Sequence, residues 1–176
     1  MLKITIIVIK LFLYSFISMS SEFYNYEFES IEGSKMPLKN YKGKVVLLVN
    51  TASMCGFTKQ YSGLEKVYQD YKDKGLVVIG MPSNSFKQEY VEEEKVKDFC
   101  ETKFNITFPM TKIVQVTGEE KHEFYKWLEN NYGVKPKWNF FKFVFNKKGE
   151  FIDSFSSITR PNSDRILDIL NAEFDS

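Results

Sequence analysis

Hydrophobic positions recur along this chain with two distinct periods. Val45 to Val49 is an unbroken apolar run, mostly β-branched, and reads as a strand buried on both faces. Leu76 to Met81 repeats that pattern and is stopped by Pro82. Between them Tyr61, Leu64, Tyr68 and Tyr71 recur at steps of three and four, which predicts a helix with Thr58 as N-cap and Lys74-Gly75 as its close. Upstream, Tyr24 to Glu29 alternates as a strand, Glu32-Gly33-Ser34 turns the chain, and Met36 to Lys42 leads through Gly43 into the central strand. Downstream, Ser83 to Glu89 is a polar loop and Glu92 to Phe104 a helix with acid in its first turn, where the helix dipole favours it. The pattern then predicts a strand over Met110 to Val116, a helix over Glu119 to Asn131 and a strand over Trp138 to Phe145. Lys147-Lys148-Gly149 turns a hairpin into Phe151 to Phe155, and Ser163 to Phe174 closes the chain as a helix. Alternating strands and helices ending in a hairpin predict an α/β protein with a mixed central sheet flanked by helices.

Met1 to Ser20 has a different character. Lys3 and Lys10 bracket Ile4 to Ile9, and small residues Ser18-Met19-Ser20 follow a second apolar stretch. This reads as a cleaved signal peptide, as an upstream extension with Met19 as the true start, or as a retained anchor. The first reading makes the protein exported (periplasmic or secretory) and the second cytoplasmic. Lys10 interrupts the apolar run, so no stable membrane span is expected. Residues 21–176 form the folded domain, with ample length for a core.

Charge narrows the function classes. The 24 basic and 23 acidic residues nearly cancel, and no basic stripe is interleaved with aromatics, so nucleic acid is not an expected partner. Two cysteines are too few for a disulfide scaffold, and no Cys/His cluster points to zinc. The single histidine, His122, lies beside a helical face made by Phe124, Trp127 and Leu128 and reads as a solvated surface residue, which leaves no partner for a Cys–His hydrolase.

The chemistry then centres on Cys55. It follows the most buried strand and precedes a helix, with Gly56 beside it. Unpaired amide N–H groups and the helix dipole favour an anion at such a junction, and the thiolate is the nucleophilic form of cysteine. This is the thioredoxin-fold placement of a reactive cysteine. Thr58 stands where a Cys-x-x-Cys motif has its second sulfur, so a local dithiol cycle is excluded. The alternative at Cys55 is a buried structural cysteine. Gln88 lies in the loop after the second buried strand, on the crevice side of an open α/β sheet, and Trp138-Asn139 heads another strand. Gln, Trp and Asn are neutral N–H donors that stabilise a thiolate without adding charge. Taken singly, each also fits packing or turn chemistry.

Together these stretches resemble the glutathione peroxidase family: Asn50-Thr51-Ala52-Ser53-Met54-Cys55-Gly56-Phe57-Thr58, the Ser83 to Glu89 loop, Phe108-Pro109-Met110 and Lys137-Trp138-Asn139-Phe140. The resemblance runs from about Phe23 to the C-terminus. It implies a thioredoxin fold and a catalytic tetrad of Cys55, Gln88, Trp138 and Asn139, with cysteine in place of selenocysteine. It further implies hydroperoxide substrates, a thiol reductant and no metal, haem or flavin. The chain departs from the family where Ser85 replaces a glutamine and the loop is one residue shorter before Gln88-Glu89. Cys100, in Phe99-Cys100-Glu101, matches the resolving cysteine of members that take electrons from thioredoxin rather than glutathione. Read from periodicity alone, Val96, Phe99 and Cys100 share an apolar helix face, and Cys100 is equally a core residue. The short stretch from Asn131 to Trp138 implies a monomer or dimer, since longer members use an insertion there for tetramer contacts. Two other classes stay open: a thiol–disulfide oxidoreductase, which Thr58 argues against, and a redox sensor that passes its oxidation to a partner protein.

Overall fold

A computed structural model describes residues 22–175, so the reading of residues 1–20 as a signal peptide or extension lies outside the described residues. The central sheet has the order β4-β3-β5-β6, built from β3 (Val45–Thr51), β4 (Leu76–Pro82), β5 (Lys142–Phe145) and β6 (Phe151–Phe155). β3 pairs parallel with β4, from Val45 opposite Leu76 to Thr51 opposite Pro82, and antiparallel with β5, from Val46 opposite Phe145 to Val49 opposite Lys142. The carboxyl ends of β3 and β4 and the amino end of β5 therefore meet at one edge of the sheet.

Alternation along β3 divides the core in two. Val45, Leu47 and Val49 pack with α1 (Gln60–Tyr71), α2 (Glu93–Phe104) and α4 (Asp164–Phe174) through Tyr61, Leu64, Val67, Val96, Cys100, Ile166 and Leu170. Val46 and Leu48 pack on the other face with Phe124, Trp127 and Leu128 of α3 (Glu123–Tyr132). Each buried leucine or phenylalanine stabilises the fold by about 1.5–3 kcal/mol relative to leaving it in water. All seven residues of β3 are buried, as an apolar run between two partner strands requires. This is the expected thioredoxin fold, a mixed sheet flanked by four helices. Among the described residues no helix is long and apolar enough to cross a membrane.

Several local expectations change, among them the strand read over Trp138 to Phe145, which begins only at Lys142. Tyr24 to Glu29 is not one strand: Glu22–Asn25 is a turn of 3-10 helix, and only β1 (Glu27–Glu29) pairs, with β2 (Lys35–Pro37), in a separate ribbon. Phe23 and Tyr24 are both buried, which the two-residue period of a strand forbids for neighbours on a single core face. Met110 to Val116 makes only single bridges, Gly80 to Met110 and Ser30 to Thr111, as it crosses the outer edge of β4. Phe108 rides over Gly80 so closely that a Cβ there would sit 2.9 Å from its ring. His122 is not a solvated surface residue: it caps α3, its Nδ1 accepting from the Phe124 N–H (3.2 Å), and its ring stacks on Phe28 at 4.3 Å. Burial there holds its pKa below the usual histidine value.

The C-terminal part of α3 also fixes the approach to Trp138. Glu129 pairs with Lys121 on one side and with Lys135, in the segment leading to Trp138, on the other. Those two ammonium groups hold its carboxyl at about 2. A carboxylate held below its unfolded value contributes stability that is complete above that value and lost as pH falls through the folded one. Glu129→Gln is therefore expected to lower the melting temperature by a few degrees at neutral pH. The difference from wild type should close as pH falls from about 4 to about 2. Melting curves across that range check it.

Candidate functional site

Where β3 leaves the sheet, residues 52–59 form a tight loop around Cys55. The thiol is nearly covered, at 9 % exposure, and the Phe57 N–H donates to its Sγ at 3.4 Å. The Cys55 N–H donates to Thr58 Oγ1 (3.0 Å), and the Thr58 hydroxyl faces the carbonyls of Ala52 (2.9 Å) and Cys55 (2.7 Å). Thr58 thus braces the cysteine loop instead of capping α1, which starts at Gln60 without a side-chain cap.

The loop after β4 runs alongside. Lys87 takes a left-handed conformation (φ 56) that turns the chain back, and the Gln88 carbonyl accepts from the Met54 N–H at 3.0 Å. Next to it Glu89 is buried, its Oε1 accepting from the N–H groups of Ser53 (3.1 Å) and Tyr90 (2.9 Å). Burial raises its carboxyl above the usual range, and those N–H donors act in the opposite sense. Glu89 and the Gln88 carbonyl together bind the two loops edge to edge.

The turn ahead of β5 supplies the third wall. Asn139 is fully buried and donates through Nδ2 to Gln88 Oε1 at 3.0 Å. Trp138 keeps 41 % of its surface exposed and leans on Phe86, ring centres 5.2 Å apart. Asn50, at the end of β3, holds this turn from beneath: Nδ2 donates to the Trp138 carbonyl (3.0 Å) and Oδ1 accepts from the Phe141 N–H (3.2 Å). The structure therefore ties the loops of Cys55 and Gln88 and the Trp138-Asn139 turn into one crevice. Cys100 is apart from it. It lies within α2, 1 % exposed, in the same core layer as Cys55, and both thiols are free. Burial pushes the Cys100 thiol up to about 12, against the influence of the neighbouring Tyr61 hydroxyl.

Asn50, Thr58 and Glu89 are the residues that sequence reasoning passed over as builders of the site. For Asn50 the available signal was its polarity directly after a fully apolar run.

A family model described as glutathione peroxidase matches residues 23–129. The chain belongs to the glutathione peroxidase family. It is 42 % identical to a glutathione peroxidase-like peroxiredoxin of Schizosaccharomyces pombe, over 80 % of this chain and 92 % of that one. It is 40 % identical to a glutathione peroxidase of Lactococcus lactis, over 79 % and 92 %. Among solved structures it superposes on Trgpx in apo form with a TM-score of 0.69 and 34 % identity, covering 88 % of this chain and 96 % of that one. The family brings the reaction class with it: a peroxidase, an oxidoreductase that reduces hydroperoxides with electrons from thiols.

Proposed function

We propose that Cys55 is the sulfur nucleophile of this thiol peroxidase, that Gln88, Trp138 and Asn139 are neutral donors around its reaction, and that Cys100 is the resolving thiol. The Cys55 thiolate attacks one oxygen of the hydroperoxide; the O–O bond breaks, the other oxygen leaves as alcohol or water after taking a proton, and Cys55 becomes a sulfenic acid. The Cys100 thiol then displaces hydroxide from that sulfur, its own proton completing a water molecule, and a disulfide forms. An external dithiol returns both sulfurs to thiols. The observation that carries this reading is the Asn139–Gln88 hydrogen bond: the Gln88 loop also bonds the cysteine loop through the Met54 N–H, and the Asn139 turn is held by Asn50 at the end of β3. With its Oε1 engaged by Asn139, Gln88 has its NH2 left to donate.

A thioredoxin-like protein is the favoured reductant over glutathione. Support comes from the second cysteine, which gives an intramolecular disulfide for a dithiol protein to open, and from relatives that carry the name peroxiredoxin. Hydrogen peroxide and organic hydroperoxides are the substrates, and the short connection from Tyr132 to Trp138 favours a monomer or dimer. The test is NADPH consumption with peroxide and either thioredoxin with its reductase or glutathione with its reductase. Thioredoxin should support turnover at least tenfold better. Equal support by glutathione overturns the choice of reductant, and no turnover with either overturns the peroxidase cycle.

The donors have a measurable share. Asn139→Ala and Trp138→Phe each remove an N–H group from the crevice. A lost hydrogen bond to a charged group costs about 1.5–3 kcal/mol, so each replacement should slow sulfenic acid formation by about one to two decades. Stopped-flow oxidation with one equivalent of peroxide measures it. Unchanged rates in both variants would leave these side chains as packing only.

A further inference from the structure

Among the described residues Lys142 is the one lysine with no exposed surface. An ammonium taken out of water persists only where oxygens replace its hydration. Lys142 has that full set: Nζ donates to Gln60 Oε1 (2.6 Å), to the Phe140 carbonyl (2.8 Å) and to the Thr159 carbonyl (2.6 Å), one acceptor for each N–H. Burial pushes the amine down to about 7, and the three oxygens act in the opposite sense, favouring the charged form.

The three acceptors belong to three separate segments, and two of these adjoin the crevice. Gln60 is the first residue of α1, directly after the Cys55 loop. Its Nε2 also donates to the Ser157 carbonyl (2.6 Å), in the same loop as Thr159. Phe140 follows Asn139 and is held in the left-handed region (φ 60), which few residues other than glycine adopt. Its N–H donates to the Asn50 carbonyl at 2.6 Å and its own carbonyl accepts from Lys142, so the peptide groups on both sides of this strained residue are pinned. Released from either, Phe140 would relax toward ordinary dihedrals and carry Asn139 with it.

We propose that Lys142 is a positioning residue of the peroxidase site: by bridging the Phe140 carbonyl to Gln60 it fixes the Asn139 amide relative to the Cys55 loop. The inference rests on the thiol peroxidase reading and assigns Lys142 no contact with substrate.

The experiment uses the full chain with Lys142→Met, Asn139→Ala and the double variant. Two rates are read at Cys55 by peptide mass: alkylation by iodoacetamide across a pH series, and oxidation by one equivalent of hydrogen peroxide. Lys142→Met should move the alkylation profile to higher pH and slow oxidation at least tenfold. In the Asn139→Ala background the same replacement should cost less than twofold, because the turn it holds has already lost its donor. Lys142→Gln keeps an N–H donor on a shorter stem and should recover part of the rate. It is read by the same criteria if the methionine variant does not fold. A folded Lys142 variant with wild-type profile and rate overturns the proposal. So does full multiplication of the two effects in the double variant, which would place the action of Lys142 elsewhere. Alkylation needs no peroxide, so the two readings fail separately. A wild type that consumes no peroxide while the alkylation results hold refutes the peroxidase cycle alone. An active wild type with a flat alkylation arm refutes the positioning role alone.

Discussion

Cys55→Ser is expected to reduce peroxide turnover to the uncatalysed background while leaving the fold in place. Serine presents a hydroxyl that peroxide does not oxidise, so no sulfenic acid can form and Cys100 has nothing to resolve. The substitution is nearly isosteric. The Phe57 N–H that donates to Sγ can donate to a serine oxygen, and the side chain is 9 % exposed, so a change in stability of about 1 kcal/mol or less is expected. The check is turnover with thioredoxin and its reductase, alongside a melting curve. Residual activity above a few per cent of wild type would remove Cys55 from the nucleophile's role.

Cys100→Ser is expected to separate the two halves of the cycle. One equivalent of peroxide should still oxidise Cys55 at the wild-type rate, but thioredoxin-dependent turnover should fall by about two decades or more as sulfenic acid persists and over-oxidises. In the wild type the same equivalent should give a Cys55–Cys100 disulfide by peptide mapping. Burial holds the Cys100 thiol far above its ordinary range, so it is protonated and inert while packed. Opening α2 would expose Cys100 and return the thiol to its ordinary range, as disulfide formation with Cys55 requires. The cost of opening it is set mainly by its packing, which includes the partly buried Phe99 and Phe104. Val96 and Cys100 are its fully buried residues, and its ion pairs, such as Glu92 with Lys95 and Lys97 with Glu101, lie at the surface and contribute little. Cys55 found as sulfinic acid or a mixed disulfide after one equivalent, with Cys100 still a thiol, would overturn the resolving role.

The parts of this fold legible in the sequence are those where one force decides. β3 and β4 are apolar on both faces because both are covered, and α1 repeats its buried side chains at helical spacing. The position of Cys55 follows from those elements alone. The polar framework behind it was hidden by the same rules. Phe141-Lys142-Phe143 alternates, and alternation ordinarily places the lysine in water. Here the start of α1 and the loop carrying Thr159 cover that face, and the lysine is buried with its acceptors. Asn50, at the end of an apolar strand, and Glu89, in a polar loop, become buried struts only when three loops converge. Met110 to Val116 had strand composition, but Pro109 offers no N–H for a ladder and the segment crosses β4 with only isolated bridges. His122 followed local chemistry that periodicity does not register: a cap and a stacked ring.

The two tryptophans occupy opposite situations, and that difference has an optical consequence. Trp127 is 6 % exposed, its indole N–H donating to a Glu22 carboxylate at 2.6 Å, in the core layer across the sheet from both thiols. Trp138 stands at the mouth of the crevice, 41 % exposed against Phe86, one residue from the amide that bonds Gln88. Emission from Trp138 is therefore expected to change when Cys55 is oxidised, and emission from Trp127 is not. On that expectation the exposed indole would serve as a fluorescent indicator of the cysteine's oxidation, and the buried one as an internal reference beyond the sheet.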